Sequence, residues 1–219
     1  MIKNILAAAA FGVAAMGAHA SANLLTDGNF ESTGESFSPS SSYCYGSAVG
    51  ARTCGSAPAY AVNGWSGTGD VVYLSSDSNA WQYPDSQSHA GIDLGDVVAG
   101  VQNVSTLTSD FVFTKGQEYL LTWVSTNRGN GDDQSYSVQA GGVLDPKTIT
   151  TSANGWNTYS FEFVAANTGP LTFTGLSTSG DHTSFIDNVQ LSAVPEPTSL
   201  LMMAFGTLGL LARRRRAQA

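Results

Sequence analysis

Charge is scarce in this chain: 12% of its 219 residues are charged, with only nine Lys and Arg against 17 Asp and Glu. Between residues 21 and 194 the cations are reduced to Arg52, Lys115, Arg128 and Lys147, facing sixteen acidic residues for a formal charge of −12. Such a surface repels phosphate backbones and excludes a nucleic-acid partner. Cysteine is almost as rare. Cys44 and Cys54 are too few for a thiolate metal site, which takes three or four protein ligands. No G-x-S-x-G or H-E-x-x-H sequence and no glycine-rich nucleotide loop is present, so no hydrolase, metalloprotease or nucleotide motif marks the chain. Amphipathic helical periodicity is missing throughout.

The two longest apolar runs lie at the ends. Lys3, the run Ile5 to Gly17 and the small residues Ala18 and Ala20 have the layout of a cleavable export signal, with Ser21 as the first mature residue. His19 falls in the discarded part. At the other end Val194, Pro195, Glu196 and Pro197 break the preceding strand pattern. An uncharged stretch from Leu200 to Ala212 follows, and then Arg213, Arg214, Arg215 and Arg216. The stretch is shorter than the roughly 20 residues that span a bilayer comfortably, yet four arginines would hold its far end on the cytoplasmic side. The expected organisation is a signal peptide over 1–20, one domain over 21–194 and a sorting tail over 195–219, a domain length that suits a single core.

Within the domain, alternation with period two dominates. In TYSFEFVA the residues Tyr159, Phe161 and Phe163 point one way and Ser160 and Glu162 the other; in LTFTGL, Leu171 and Phe173 oppose Thr172 and Thr174. Further strands are expected around Val71–Leu74, Ala90–Leu94, Asp110–Thr114, Glu118–Ser125 and Gln134–Gln139. Turns such as Asn63-Gly64, Lys115-Gly116 and Asn154-Gly155 join them, and an all-β antiparallel sandwich of jelly-roll type follows. In an oxidising compartment Cys44 and Cys54 are expected to form a disulfide that tethers the Ser- and Gly-rich loop Ser32–Gly50.

The closing segment TSFIDNVQL sets Phe185, Asp187, Val189 and Leu191 on one parity, so Asp187 lies on the apolar face unless a bulge shifts the register. A buried carboxylate needs a partner. Either it caps backbone N–H groups at the sheet edge, or Asp27, Glu31 and Asp187 form an all-oxygen site for Ca²⁺ with backbone carbonyls. For a sugar ligand the useful residues are aromatics among short polar groups. Trp81 and Tyr83 in NAWQYPDSQ head that set, with Trp65 beside them; Tyr73, Trp123 and Trp156 are the other aromatics considered, and Trp123 reads as core. Asp85, His89, Asp93 and Asp96, and the trio Asp181, His182 and Ser184, hold catalytic residue types without a convergent spacing. No catalysis is expected.

Two resemblances add to this reading. VPEP, the apolar stretch and RRRR resemble the PEP-CTERM sorting tail of exported proteins in Gram-negative, often exopolysaccharide-producing bacteria. That resemblance implies transient inner-membrane anchoring, removal of the tail by an exosortase-type enzyme, and a final place in the cell envelope or extracellular matrix. The segments NLLTDGNFE, Gly64-Trp65, GIDL, GQEYLLTW, WNTYSFEFVA and FIDNVQL resemble the galactose-binding-like jelly rolls, of the DUF642 and carbohydrate-binding-module type. There a structural calcium joins the first and last strands, a role that would fall here on Asp27, Glu31 and Asp187. Together they imply a non-catalytic glycan-binding protein of the envelope or biofilm matrix; the alternative is a structural or adhesive protein acting through contacts with another envelope protein.

Overall fold

The structure is a computed structural model that describes residues 22–31, 43–46, 52–53, 63–75, 97–128, 134–151, 155–178 and 180–195. Trp81, Tyr83, Asp85, His89, Asp93 and Asp96, the expected strand Ala90–Leu94, Cys54, both terminal signals and the apolar stretch Leu200–Ala212 lie outside the described residues. Among the described residues no helix is long and apolar enough to cross a membrane.

Thirteen strands are described: β1 (Tyr43–Gly46), β2 (Arg52–Thr53), β3 (Trp65–Thr68), β4 (Val71–Ser75), β5 (Val97–Gln102), β6 (Thr106–Ser109), β7 (Glu118–Asn127), β8 (Gln134–Ala140), β9 (Val143–Leu144), β10 (Ile149–Thr151), β11 (Asn157–Val164), β12 (Thr172–Gly175) and β13 (Thr183–Ala193). They form two antiparallel sheets, one ordered β11-β7-β13-β5-β4-β1-β2 and the other β10-β8-β12-β6-β3 with β9 beside β8. The expected all-β sandwich is what the chain adopts. Side-chain alternation explains it: Tyr119, Leu121 and Trp123 of β7 turn inward while Glu118, Leu120 and Thr122 turn out. Phe173 of β12 sits at the centre of the interior, its ring 5.7 Å from Trp123, 6.2 Å from Tyr136 and 6.4 Å from Trp65. A second apolar cluster of Val72, Leu74, Val98, Val124, Phe185 and Trp156 is buried on the outer face of the seven-stranded sheet. That cluster explains why β4, β5 and the ends of β7 and β13 are buried on both faces, and it gives Trp156 a packing role.

Two expectations need correction. Asp110–Thr114 is not a strand, since the ladder ends with β6 at Ser109. Beyond it, Asp110 N–H bonds to Gly64 O, Thr114 N–H bonds to the Tyr119 hydroxyl, and Phe113 fills the core. NLLTDGNFE is a turn and not a first strand, with Asp27 and Phe30 at positive φ (49° and 60°). The terminal segments nevertheless meet. On β13, Asp187 pairs with Val124 but Gln190 pairs with Thr122, so one extra residue is accommodated in a bulge where Asn188 takes φ 48°. The bulge resolves the parity conflict: Phe185 joins the outer cluster, whereas Ile186, Val189 and Leu191 all face the interior.

The pairing of β13 with β5 stops at Ile186 with Ala99. Past that point the N-terminal turn takes over the open edge. Val189 N–H donates to Gly28 O (2.7 Å), Leu24 N–H to Leu191 O (2.9 Å), Leu191 N–H to Asn23 Oδ1 (2.9 Å), and Asn23 Nδ2 to Val189 O (2.9 Å). Leu25 and Phe30 anchor the same turn in the core. Gly28 lies so close to β13 that a Cβ there would sit 2.0 Å from Val189 O. Gly28→Ala is therefore expected to cost about 1–3 kcal/mol and lower Tm by roughly 3–10 °C, read by thermal melting. An unchanged Tm would show that the turn does not hold β13.

Candidate ligand-binding surface

Four of the aromatics considered as ligand platforms, Trp65, Tyr73, Trp123 and Trp156, are buried. Trp65, expected among the binding residues, is 6% exposed. Its indole N–H donates to both Thr26 O and Asp27 O at 3.0 Å and its ring lies 5.1 Å from Phe30, so it locks the N-terminal turn onto the core. This corrects its assignment as a stacking residue. Tyr73, Trp123 and Trp156 are equally buried. Trp123 donates to the Tyr136 hydroxyl at 2.7 Å and stacks on the half-buried Tyr159 at 5.7 Å.

The three carboxylates expected at a calcium site have separate duties. Glu31 Oε1 accepts from Val97 N–H at 2.8 Å, at the start of β5. Asp187 is fully buried and its Oδ1 accepts from Asn188 N–H at 2.5 Å. Asp27 lends its carbonyl to Trp65 and to Phe30 N–H. Among the described residues no three His, Cys, Asp or Glu side chains gather as a metal-holding group. The donors are all oxygen, as Ca²⁺ requires, but an ion here would need backbone carbonyls as well.

Asp181, His182 and Ser184 do not assemble a catalytic relay. The Ser184 hydroxyl is buried and hydrogen-bonded to Thr151 Oγ1 at 2.8 Å, and the Asp181 carboxylate is held by Arg128 and Gln102. His182 Nδ1 is buried and accepts or donates no hydrogen bond among the described residues. Cys44 is on β1. There Tyr45 pairs with Thr53 and Gly46 with Arg52, and Cys54 follows that second strand in sequence.

A different surface stands out that the sequence pattern alone did not single out. The outward positions of the six-stranded sheet are Ser66 and Thr68 (β3), Thr106 and Thr108 (β6), Thr172 and Thr174 (β12), Ser135, Ser137 and Gln139 (β8), and Thr150 (β10). All ten are half-buried or exposed, and none carries charge. The register arranges them in rows across the strands: Ser66, Thr108, Thr172 and Gln139 in one, Thr68, Thr106, Thr174 and Ser137 in the next. Thr106 and Thr174 share a hydrogen bond at 3.1 Å, as do Ser135 and Thr150 at 2.9 Å. Exposed apolar side chains border the rows. Leu144 stands opposite Gln139, while Val104 and Leu176 extend β6 and β12 beyond Thr106 and Thr174. The legible signal was the repeated hydroxyl-x-hydroxyl spacing SGT, TLT, SYS and TFT, which becomes a surface only once the strands are ordered.

The fold is an all-β sandwich of two antiparallel sheets. The chain belongs to the family described as "Protein of unknown function (DUF642)", whose pattern matches residues 23–192, and it carries a PEP-CTERM protein-sorting motif over residues 193–216. No curated protein has a sequence that matches this chain. Similar solved structures include the CBM22-1 xylan-binding domain of Xyn10C from Paenibacillus barcinonensis, at 13% identity and TM-score 0.41 over 61% of this chain and 87% of that one. Another is the N-terminal cellulose-binding domain of β-1,4-glucanase C from Cellulomonas fimi, at 15% identity and TM-score 0.36 over 46% and 79%. A third is the K3 cleaved adhesin domain of Lys-gingipain from Porphyromonas gingivalis, at 13% identity and TM-score 0.36 over 59% and 92%.

The interior also sets a pH response. Burial raises the Tyr136 hydroxyl far above the ordinary tyrosine range, against the opposing hydrogen bonds from Ser125 and Trp123; burial raises Tyr159 as well. A folded pKa above the unfolded one means that this stability is fully present below about pH 10 and is lost as pH rises beyond it, by up to about 1.4 kcal/mol per pH unit for each such group. Melts between pH 7 and 11 should be level at first and then fall, and Tyr136→Phe should flatten the alkaline slope. An identical slope in the variant would contradict the assignment.

Proposed function

We propose that this protein is an exported, non-catalytic glycan-binding protein of the cell envelope or exopolysaccharide matrix. The observation that carries the reading is the outer face of the six-stranded sheet. Ten adjacent uncharged hydroxyl and amide side chains offer both donors and acceptors, the chemistry that sugar hydroxyls exchange with. The PEP-CTERM motif supports export and processing by an exosortase-type enzyme. Transient inner-membrane anchoring through Leu200–Ala212 and removal of Arg213–Arg216 belong to the same proposal. So does a stacking role for Trp81 and Tyr83.

Affinity electrophoresis of the mature protein in gels containing the host's own exopolysaccharide tests the reading. Retardation is expected, weakened several-fold by Trp81→Ala. Free migration in every glycan gel, together with specific capture of one envelope protein, would replace it with the structural or adhesive alternative.

We further propose that Ca²⁺ binds at the β13 bulge through Asp27, Glu31 and Asp187 with backbone carbonyls. A cation bound only by the folded state stabilises it by mass action, so calcium should raise Tm and a chelator should lower it. Asp187→Asn should abolish the calcium response. Equal melting temperatures with calcium and with chelator would remove the ion.

A further inference from the structure

We propose that the outer face of the six-stranded sheet holds a single chain of an uncharged polysaccharide, lying across β3, β6, β12 and β8. This rests on the glycan-binding reading and names both the site and the ligand class. Four observations lead to it.

The first is charge. In a domain with a formal charge of −12, the ten outward positions include no Lys, Arg, Asp or Glu. An acidic polymer would find no cation among these ten positions to pair with and would be repelled by the net negative charge of the domain. A neutral chain meets neither obstacle. The second is the absence of anchors: the ten outward positions carry no Trp, Tyr, Phe, Met or Arg, the residues that dominate protein–protein hot spots, so a protein partner has little to grip there.

Spacing is the third. Strands lie about 4.7–4.9 Å apart and alternate residues of one strand about 6.7 Å apart, so the rows present hydroxyls at a repeat that a chain of polar rings can follow. The rows are also amphipathic at their margins. Val104, Leu176 and Leu144 are 61%, 43% and 59% exposed and supply apolar contacts for the C–H faces of the rings. Last is shape. Successive strands twist by about 20–25°, so a sheet of five strands in series presents a twisted surface that fits a pliable chain and not the flat face of a crystalline polymer.

Because these ten positions carry no aromatic ring, recognition on the face is spread over many weak hydrogen bonds. Binding is then modest per domain and gains strength where many domains meet one polymer, as in a matrix.

The test uses the mature protein in affinity gels containing a soluble neutral β-glucan, a soluble neutral galactan or an acidic polyuronate, alongside sedimentation with crystalline cellulose. Retardation by at least one neutral chain is expected, with none by the polyuronate and no sedimentation. Thr108→Lys with Ser137→Lys, placed on separate strands so that the two charges are not directly opposed, should weaken neutral binding at least tenfold. Thr174→Val keeps the β-branched shape and removes one hydroxyl; it should weaken binding several-fold with Tm unchanged. Glu162→Lys, on the outer face of β11, should change nothing.

Neutral binding that survives all three face substitutions with the fold intact would overturn the site while leaving the glycan reading standing. Binding only to polyuronate or only to crystalline cellulose would overturn the ligand class. No binding to any polysaccharide, the host's own included, would bring down both.

Discussion

The closure of β13 by the N-terminal turn is the constraint on which the rest of this sandwich depends. β13 runs through the middle of the seven-stranded sheet, but β5 accompanies it only as far as Ile186. Beyond that point a central strand would expose unpaired N–H and C=O groups, the usual liability of a sheet edge. The main-chain groups of Val189 and Leu191 are instead satisfied by Asn23, Leu24 and Gly28. Trp65 fastens the same turn from the other sheet by donating to Thr26 and Asp27. Both sheets, the chain start and the last strand are thereby tied at one place. The bulge at Asn188 allows β13 to present Phe185 outward and Val189 and Leu191 inward within a few residues.

That closure leaves the six-stranded sheet free to present a uniform face. With so few charges available, the domain keeps its outer surface polar by Thr, Ser and Gln, residues whose β-branched or short side chains also suit a pleated surface. The same choice that satisfies strand propensity therefore creates an uncharged hydroxyl lattice. Its link to the rigid interior is direct, since Leu107, Phe173 and Tyr136 alternate with Thr106, Thr108, Thr172, Thr174, Ser135 and Ser137 along the same strands.

How much of this was legible in the sequence depended on whether a feature is local. TYSFEFVA and LTFTGL declared their faces through period-two alternation, and both are strands with those faces. VVAGVQ, which became β5, has no alternation because both its faces are covered, so it gave no period to read. FIDNVQL announced a conflict at Asp187 that only a bulge could settle. NLLTDGNFE looked extended, but Asp27 and Phe30 occupy left-handed conformations that no composition rule assigns to such residues. Trp65 beside a loop resembled a binding residue until its indole N–H was seen to hold two carbonyls of the N-terminal turn. The hydroxyl rows were invisible for a simpler reason: their members are spread from residue 66 to residue 174 and become neighbours only through strand order.

The functional account turns on that face, and amide chemical-shift mapping of the mature protein during titration with a neutral polysaccharide tests it most directly. Shifts are expected to concentrate at Ser66, Thr106, Thr108, Ser135, Ser137, Thr172 and Thr174, while the amides of Val189 and Leu191 stay in place. Shifts that leave the six-stranded sheet untouched and fall elsewhere on the domain would contradict it.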